Sequence, residues 1–373
     1  LANPKYLLTK EGGAMIKEAI AKVVKGEDMT EGEMQDTMAD ILTAKATSAQ
    51  IGSFLTALRI KGETVDEITG AAKALRASGQ KLVLTNHLVA VDRDEINVDE
   101  ETIVDTCGTG GEGTNTFNVS TATAFVVAGA GVKVAKYGQR TDSSLCGSAT
   151  VLEALGVNLD INTAGVEKCI QEVGIGFLYG PRFYGTMRYP TDVRQEIGIR
   201  TIFNLLGPLT NPAGAPVQIL GVYSPELTEK IAQVLKKLDT KQAFVVYGEG
   251  TFDEISICGP TRISHLKEGT INTFIVTPEE YGFKRANPED IRGGSAGENA
   301  RIIREILEGH QGPKRDTVLF NAGAALVAAG LDKDFKAGIE RAREAIDSGR
   351  ARQKLDAMVS FTQQCGYLIR EEL

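Results

Sequence analysis

The sequence predicts an α/β fold: an open, mostly parallel sheet flanked by helices, with a smaller helical domain beside it. Three observations carry that expectation. Over residues 12–78 apolar side chains recur at helical spacing, as in Met15, Ile16, Ala19, Ile20 and Val23. Over residues 102–159 short apolar runs alternate with helical stretches, the pattern of parallel strands joined by crossover helices. A chain of 373 residues with 42% apolar content can also bury a core large enough for two domains.

The elements follow in order. Thr30-Glu31-Gly32-Glu33 and Thr64-Val65-Asp66-Glu67 read as capping boxes that open two of the early helices. Residues 102–107 read as a buried strand, 122–130 as a helix with Ser120 and Thr121 at its cap, and 132–137 as the next strand. A helix over 163–173 leads through an irregular Gly/Pro/Tyr segment to the helix of Arg194, with a stop at Gly207-Pro208. Residues 217–222, 242–247 and 254–258 read as further strands, with a helix around 226–238 and later helices over 296–307 and 316–329. In such a sheet ligands bind outside the strands' carboxyl ends.

One such end is unusually polar. After the strand at 102–107 come Gly108, Gly110, Gly111 and Gly113, which let the backbone approach an anion and adopt positive φ. The free N–H groups and positive dipole of the following helix favour a phosphate, and the next strand brings Lys136 and Arg140 to the same rim. Gly108, Gly110 and Gly113 satisfy the glycine spacing of a dinucleotide site. That site also needs an acid at the end of the next strand, and here that strand ends Lys136-Tyr137-Gly138-Gln139-Arg140. A phosphate cradle is therefore expected rather than a nicotinamide site.

Two more clusters bear on chemistry. Asp253-Glu254 places adjacent carboxylates before the apolar alternation Ile255, Ile257; alone it reads as a solvated turn, and beside a polyphosphate cradle as a Mg²⁺ site. Arg194 and Arg200 lie near an apolar helix, and a planar guanidinium suits a carboxylate.

The net charge of −8 argues against general binding to nucleic acid or to an anionic membrane surface. No apolar run approaches the length of a membrane helix and no signal peptide is recognised, so a cytoplasmic location is expected. Five cysteines without C-x-x-C spacing read as buried hydrophobes rather than zinc ligands. His87, His265 and His310 lie outside every cluster, so no histidine base is expected.

Together these blocks resemble the anthranilate phosphoribosyltransferase family over nearly the whole chain. The resemblance runs from Gln50-Ile51-Gly52-Ser53-Phe54 through Gly147-Ser148-Ala149 to Gly293-Gly294, Glu298-Asn299-Ala300 and Asn321-Ala322-Gly323. It implies transfer of phosphoribose from phosphoribosyl pyrophosphate to an aromatic amine with Mg²⁺, in tryptophan biosynthesis, by a homodimer. It also implies a discontinuous helical domain (1–78 with 163–197) and an α/β domain (79–162 with 198–373). By the same resemblance Gly108, Gly110 and Gly111 form the pyrophosphate turn, Glu112 binds the donor beside them where the family usually has aspartate, and Thr116, Asn118, Ser120, Thr121 and Ser148 hold phosphate and ribose oxygens. Lys136 would neutralise the leaving pyrophosphate; Ser120, Asp253 and Glu254 would ligate Mg²⁺; and Arg194 would meet the acceptor's carboxylate.

The acceptor positions depart from the family pattern. Tyr137 and Gln139 stand where Lys-His-Gly-Asn-Arg has histidine and asparagine, and Tyr184 stands at a second acceptor-side histidine. Bulkier groups there are expected to fit anthranilate less well, which leaves anthranilate and a different aromatic acceptor both open. A nucleoside phosphorylase-like activity, and a non-enzymatic nucleic-acid-binding member of the fold, are the remaining alternatives.

Overall fold

The computed structural model describes residues 14–84, 102–110, 115–140, 146–250 and 253–371. Its first elements are four helices, α1 (Ala14–Val24), α2 (Glu31–Leu42), α3 (Ser48–Lys61) and α4 (Val65–Ser78). Strand β1 (Ile103–Gly108), α5 (Val119–Gly129), β2 (Lys133–Gly138), α6 (Ser148–Leu155), α7 (Thr163–Val173), β3 (Ile175–Tyr179) and the short α8 (Gly180–Phe183) follow. Next come α9 (Arg188–Ile197), α10 (Ile202–Leu209), β4 (Val217–Gly221), α11 (Leu227–Lys237), β5 (Gln242–Gly248), β6 (Thr261–Lys267) and β7 (Thr270–Val276). The chain closes with α12 (Ala296–Leu307), α13 (Pro313–Ala328), α14 (Phe335–Asp347) and α15 (Arg350–Glu371).

The chain forms two compact units. One comprises the residues through Gly79 together with Tyr184–Thr210; the other is Gln80–Phe183 with Asn211–Leu373. In the helical unit both expected capping boxes form: Thr30 accepts the Glu33 N–H and Thr64 that of Glu67, and each glutamate reaches back to its cap. Thr47 with Gln50 makes a third box at α3. Buried Ile16, Met34, Met38, Phe54, Leu55, Leu58 and Ile68 fill the interior of this unit.

The returning segment of this unit begins at Tyr184, not near residue 163 as expected. Helix α7 instead packs on the sheet: Val166, Cys169, Ile170 and Val173 are its buried face, and a Cβ on Gly176 of β3 would press into the Ile170 side chain. The segment read as irregular contains β3, a fully paired parallel strand.

Among the described residues the sheet has the order β3-β2-β1-β4-β5-β6-β7. The first five strands are parallel, while β6 and β7 form an antiparallel hairpin absent from the expected elements. The chain builds outward from β1 through β2 to β3, then returns to lay β4 against the other side of β1. The strand order therefore reverses between β1 and β4. That switch point is where an open α/β sheet leaves a crevice at its carboxyl edge. Helices α5, α13 and α14 cover the sheet with an apolar face that includes Phe125, Val126, Leu319, Phe320 and Ile339.

The expected strand over residues 254–258 does not form. Most of its bonded backbone groups go to side chains: Ile255 bonds to Asn321, the Ser256 N–H to Thr261 Oγ1 at 2.8 Å, and the Cys258 N–H to Ser256 Oγ at 2.9 Å, while the Ile257 carbonyl accepts the Ala286 N–H at 2.9 Å. With those partners supplied, no ladder is needed.

Candidate active site

The carboxyl ends of β1 and β4 are both glycine. Gly108 lies opposite Gly221 in the register, and the next N–H, that of Thr109, donates to the Gly221 carbonyl at 2.9 Å. Asp253 occupies the space that two absent Cβ atoms leave. A Cβ on Gly108 would meet its carboxylate, and a Cβ on Gly221 would collide with its backbone carbonyl. Its Oδ2 accepts the N–H of Gly110 at 3.0 Å, where Gly110 takes φ +63°. The glycine turn and the acidic pair, 143 residues apart in sequence, thus meet at the switch point. Gly111 and Glu112 lie outside the described residues.

The hydroxyl and amide groups come from the start of α5, which begins at Val119 with Asn118 as its N-cap. Ser120 and Thr121 are therefore in the first turn, not at the cap as expected. Ser120 is half-buried and its Oγ lies 3.2 Å from Lys136 Nζ. Thr121 is fully buried, and its Oγ1 has no partner among the described residues. The Asn118 amide is committed to the protein: Nδ2 donates to the Cys146 carbonyl at 3.0 Å, and Oδ1 accepts from Asn299 at 2.9 Å. Thr116 forms an isolated bridge with Arg292, and Ser148 sits at the start of α6 with its hydroxyl against Gly138.

Lys136 is not on an exposed rim. It is 3% exposed, with its stem beside Thr121, Ala124 and Phe125, and its ammonium donates to the Thr106 carbonyl at 2.6 Å and to Ser120 Oγ. Burial lowers its pKa, against which the Asp105 charge pulls upward. Asp105 is a site residue that sequence reasoning missed, although an acid inside the apolar run of β1 was the available signal. It is fully buried, accepts the Tyr137 N–H at 3.3 Å, and has its own pKa raised by burial despite Lys136. Two opposite buried charges compensate each other where either alone would be very costly. The charge of Glu254 adds a smaller upward pull on the Lys136 pKa.

Arg140, expected on the same rim, pairs with Glu153 at 2.5 Å and stacks over Tyr179, and Arg182 pairs with Asp160. Gln139 is exposed. The ring of Tyr137 runs along Gly180, and a Cβ there would come within 3.0 Å of its hydroxyl.

Tyr184 and Arg194 belong to the helical unit. Tyr184 is 3% exposed, its ring packs on Gly79, and its hydroxyl donates to the Thr210 carbonyl at 2.5 Å. Burial pushes its pKa up to about 12. The partner that a buried phenol requires is thus supplied within the same unit. Arg194 is half-buried in the last turn of α9, with its guanidinium 5.2 Å from the centre of the Phe203 ring.

Two further asparagines, to which the sequence assigned no role, brace this region. Asn299 of α12 joins Asn118 to the Gly294 N–H, and Gly293 lies so close to Phe117 that a Cβ would strike its backbone. Asn321 of α13 bonds both backbone groups of Ile255. An amide within an otherwise apolar helix was the signal for Asn321.

The chain is similar to known proteins over most of its length. Residues 100–352 match the model of the glycosyl transferase family α/β domain, and residues 17–79 its helical bundle domain. The anthranilate phosphoribosyltransferase of Geotalea uraniireducens is 55% identical over 350 residues, 94% of this chain and 100% of that one. The chain belongs to the anthranilate phosphoribosyltransferase family. The family enzyme of Pelobacter propionicus is 54% identical over the same shares of the two chains. Among solved structures, anthranilate phosphoribosyltransferase from Thermus thermophilus superposes with a TM-score of 0.84 at 38% identity, over 92% of this chain and 99% of that one. The Saccharomyces cerevisiae anthranilate phosphoribosyltransferase in complex with phosphoribosyl pyrophosphate and Mg²⁺ superposes with a TM-score of 0.83 at 28% identity, over 94% and 99%.

Among the described residues no three His, Cys, Asp or Glu side chains gather into a metal cluster, and no helix is long and apolar enough to cross a membrane. The Asp253 carboxylate at the Gly110 turn, with Glu254 next to it in the chain, does fit Mg²⁺, which keeps several waters and takes its other oxygens from substrate phosphates.

Proposed function

We propose that this protein transfers phosphoribose from phosphoribosyl pyrophosphate to anthranilate and releases pyrophosphate, with Asp253, Glu254 and Ser120 holding Mg²⁺. The observation that carries the reading is the meeting of the Gly108–Gly110 turn with Asp253 at the β1/β4 switch point. The backbone turn and the hydroxyl of Ser120 hold the pyrophosphate and ribose, which supplies orientation. As the anomeric C–O bond breaks and the C–N bond forms, the electron pair leaves with pyrophosphate and the amine gives up a proton. Bound Mg²⁺ supplies charge stabilisation for that leaving group. Lys136 contributes from beneath Ser120, by its field and by fixing the serine hydroxyl. Arg194 meets the acceptor's carboxylate. No protein nucleophile takes part.

The same reading carries a homodimer, by family resemblance, and a cytoplasmic site, which the unpaired state of all five cysteines supports. It is tested by incubating the protein with phosphoribosyl pyrophosphate and anthranilate. Pyrophosphate should appear in step with loss of anthranilate, and chelation of Mg²⁺ should stop both. Phosphorolysis of a nucleoside without pyrophosphate release would instead support the phosphorylase alternative.

A second reading, the same donor chemistry on another aromatic amine, rests on Tyr137 standing where the family has histidine; its phenol is held against Gly180, where a Cβ would come within 3.0 Å of it. Gly180→Ala should push the phenol away and change kcat/KM for the acceptor by about tenfold, while the KM for phosphoribosyl pyrophosphate stays unchanged. An unchanged acceptor kcat/KM in Gly180→Ala would remove this pair from the acceptor side.

A further inference from the structure

We infer that Asn321 is a positioning residue for the Asp253-Glu254 carboxylates. The inference rests on the role proposed above for those two acids. Asn321 is 1% exposed within α13, and its amide spans one residue of the opposing chain completely. Oδ1 accepts the Ile255 N–H at 2.9 Å, and Nδ2 donates to the Ile255 carbonyl at 2.9 Å. The second Nδ2 hydrogen goes to the Thr317 carbonyl, one turn back on the same helix, also at 2.9 Å. The side chain thereby offers the donor–acceptor pair that a neighbouring strand would have offered, beside a segment that has no strand partner.

Ile255 is fully buried and directly follows Glu254. Upstream, Asp253 is fixed by the Gly110 N–H and by its fit against Gly221. Asn321 supplies the downstream hold, so the Asp253-Glu254 pair is anchored on both sides. Neither aspartate nor leucine reproduces it: one lacks the donor, the other both groups. Losing the clamp frees the carboxylates from one side, and a displacement of about 1 Å in such a site costs on the order of a hundredfold in rate.

A merely structural asparagine would lower stability without moving metal affinity. The test therefore reads Mn²⁺ binding in the presence of pyrophosphate, by electron paramagnetic resonance, alongside kcat and thermal midpoint. Asn321→Ala should weaken Mn²⁺ binding by about tenfold or more and lower kcat, with the KM for anthranilate little changed. Val318→Ala, a truncation of a fully buried side chain in the same helix, should lower the midpoint and leave Mn²⁺ binding as in the parent. Asn321→Ser, too short to span both groups of Ile255, is the second variant should the alanine form fail to fold, and it is read in the same way. Parent-like Mn²⁺ binding in the foldable Asn321 variant, or an equal loss in Val318→Ala, overturns the inference. Asp253→Asn with Glu254→Gln separates the two levels. If that variant binds Mn²⁺ normally, the metal role itself falls; if it loses binding while the Asn321 variant does not, only the role of Asn321 falls.

Discussion

Asp253→Asn combined with Glu254→Gln is expected to lower kcat on the order of a thousandfold or more, corresponding to the several kcal/mol that a metal contributes to stabilising departing charge. The amides keep the size of the acids. An amide oxygen in place of the Asp253 carboxylate can still accept the Gly110 N–H, so the turn should survive. The loss should therefore appear in turnover and in Mg²⁺-dependent donor binding, with the thermal midpoint nearly that of the parent. A double variant that kept its rate would show that neither acid holds the metal.

Arg194→Ala is expected to weaken anthranilate by roughly 2–5 kcal/mol, the usual cost of removing one partner from a buried hydrogen-bonded charge pair. Donor affinity should hardly change. Aniline-like acceptors that lack the carboxylate should be almost indifferent to the substitution. Measuring KM and kcat for both acceptor types decides the point. Equal losses would mean that the guanidinium serves Phe203 and the end of α9 rather than an acceptor.

The parts of the fold set by local chemistry are legible in the sequence. The capping boxes at Thr30 and Thr64 depend on residues three apart, and the helix expected over residues 296–307 coincides with α12. Apolar runs mark β1, β2, β4 and β5 within a residue or so. Two of the failures depend on partners far along the chain, and one does not. Residues 254–258 have a strand's pattern, but Asn321 and Thr261 take their backbone bonds. The outer strand of the hairpin β6–β7, Thr270–Val276, is about half apolar, but Ile271, Phe274, Ile275 and Val276 do not alternate with polar residues, and Phe274 and Ile275 are exposed. Helix α7 falls in the α/β unit rather than the helical one, because its amphipathic pattern shows that it has a buried face, not which surface covers it.

The candidate site divides in the same way. Glycines and acids announce themselves by type, and the structure brings Gly108, Gly110 and Asp253 together. The burial of Lys136 does not, because a lysine at a strand end looks the same in sequence whether it faces solvent or a buried aspartate. Tyr184 likewise carries no sign that Thr210 would take its hydroxyl.

Whether phosphoribose goes to anthranilate is decided by kcat/KM for anthranilate, followed by its fluorescence at saturating phosphoribosyl pyrophosphate and Mg²⁺. That transfer is expected to run at about 10⁴ M⁻¹s⁻¹ or more, the range of an enzyme working on its own substrate. No turnover of anthranilate, in a preparation that releases pyrophosphate with another aromatic amine, would contradict it.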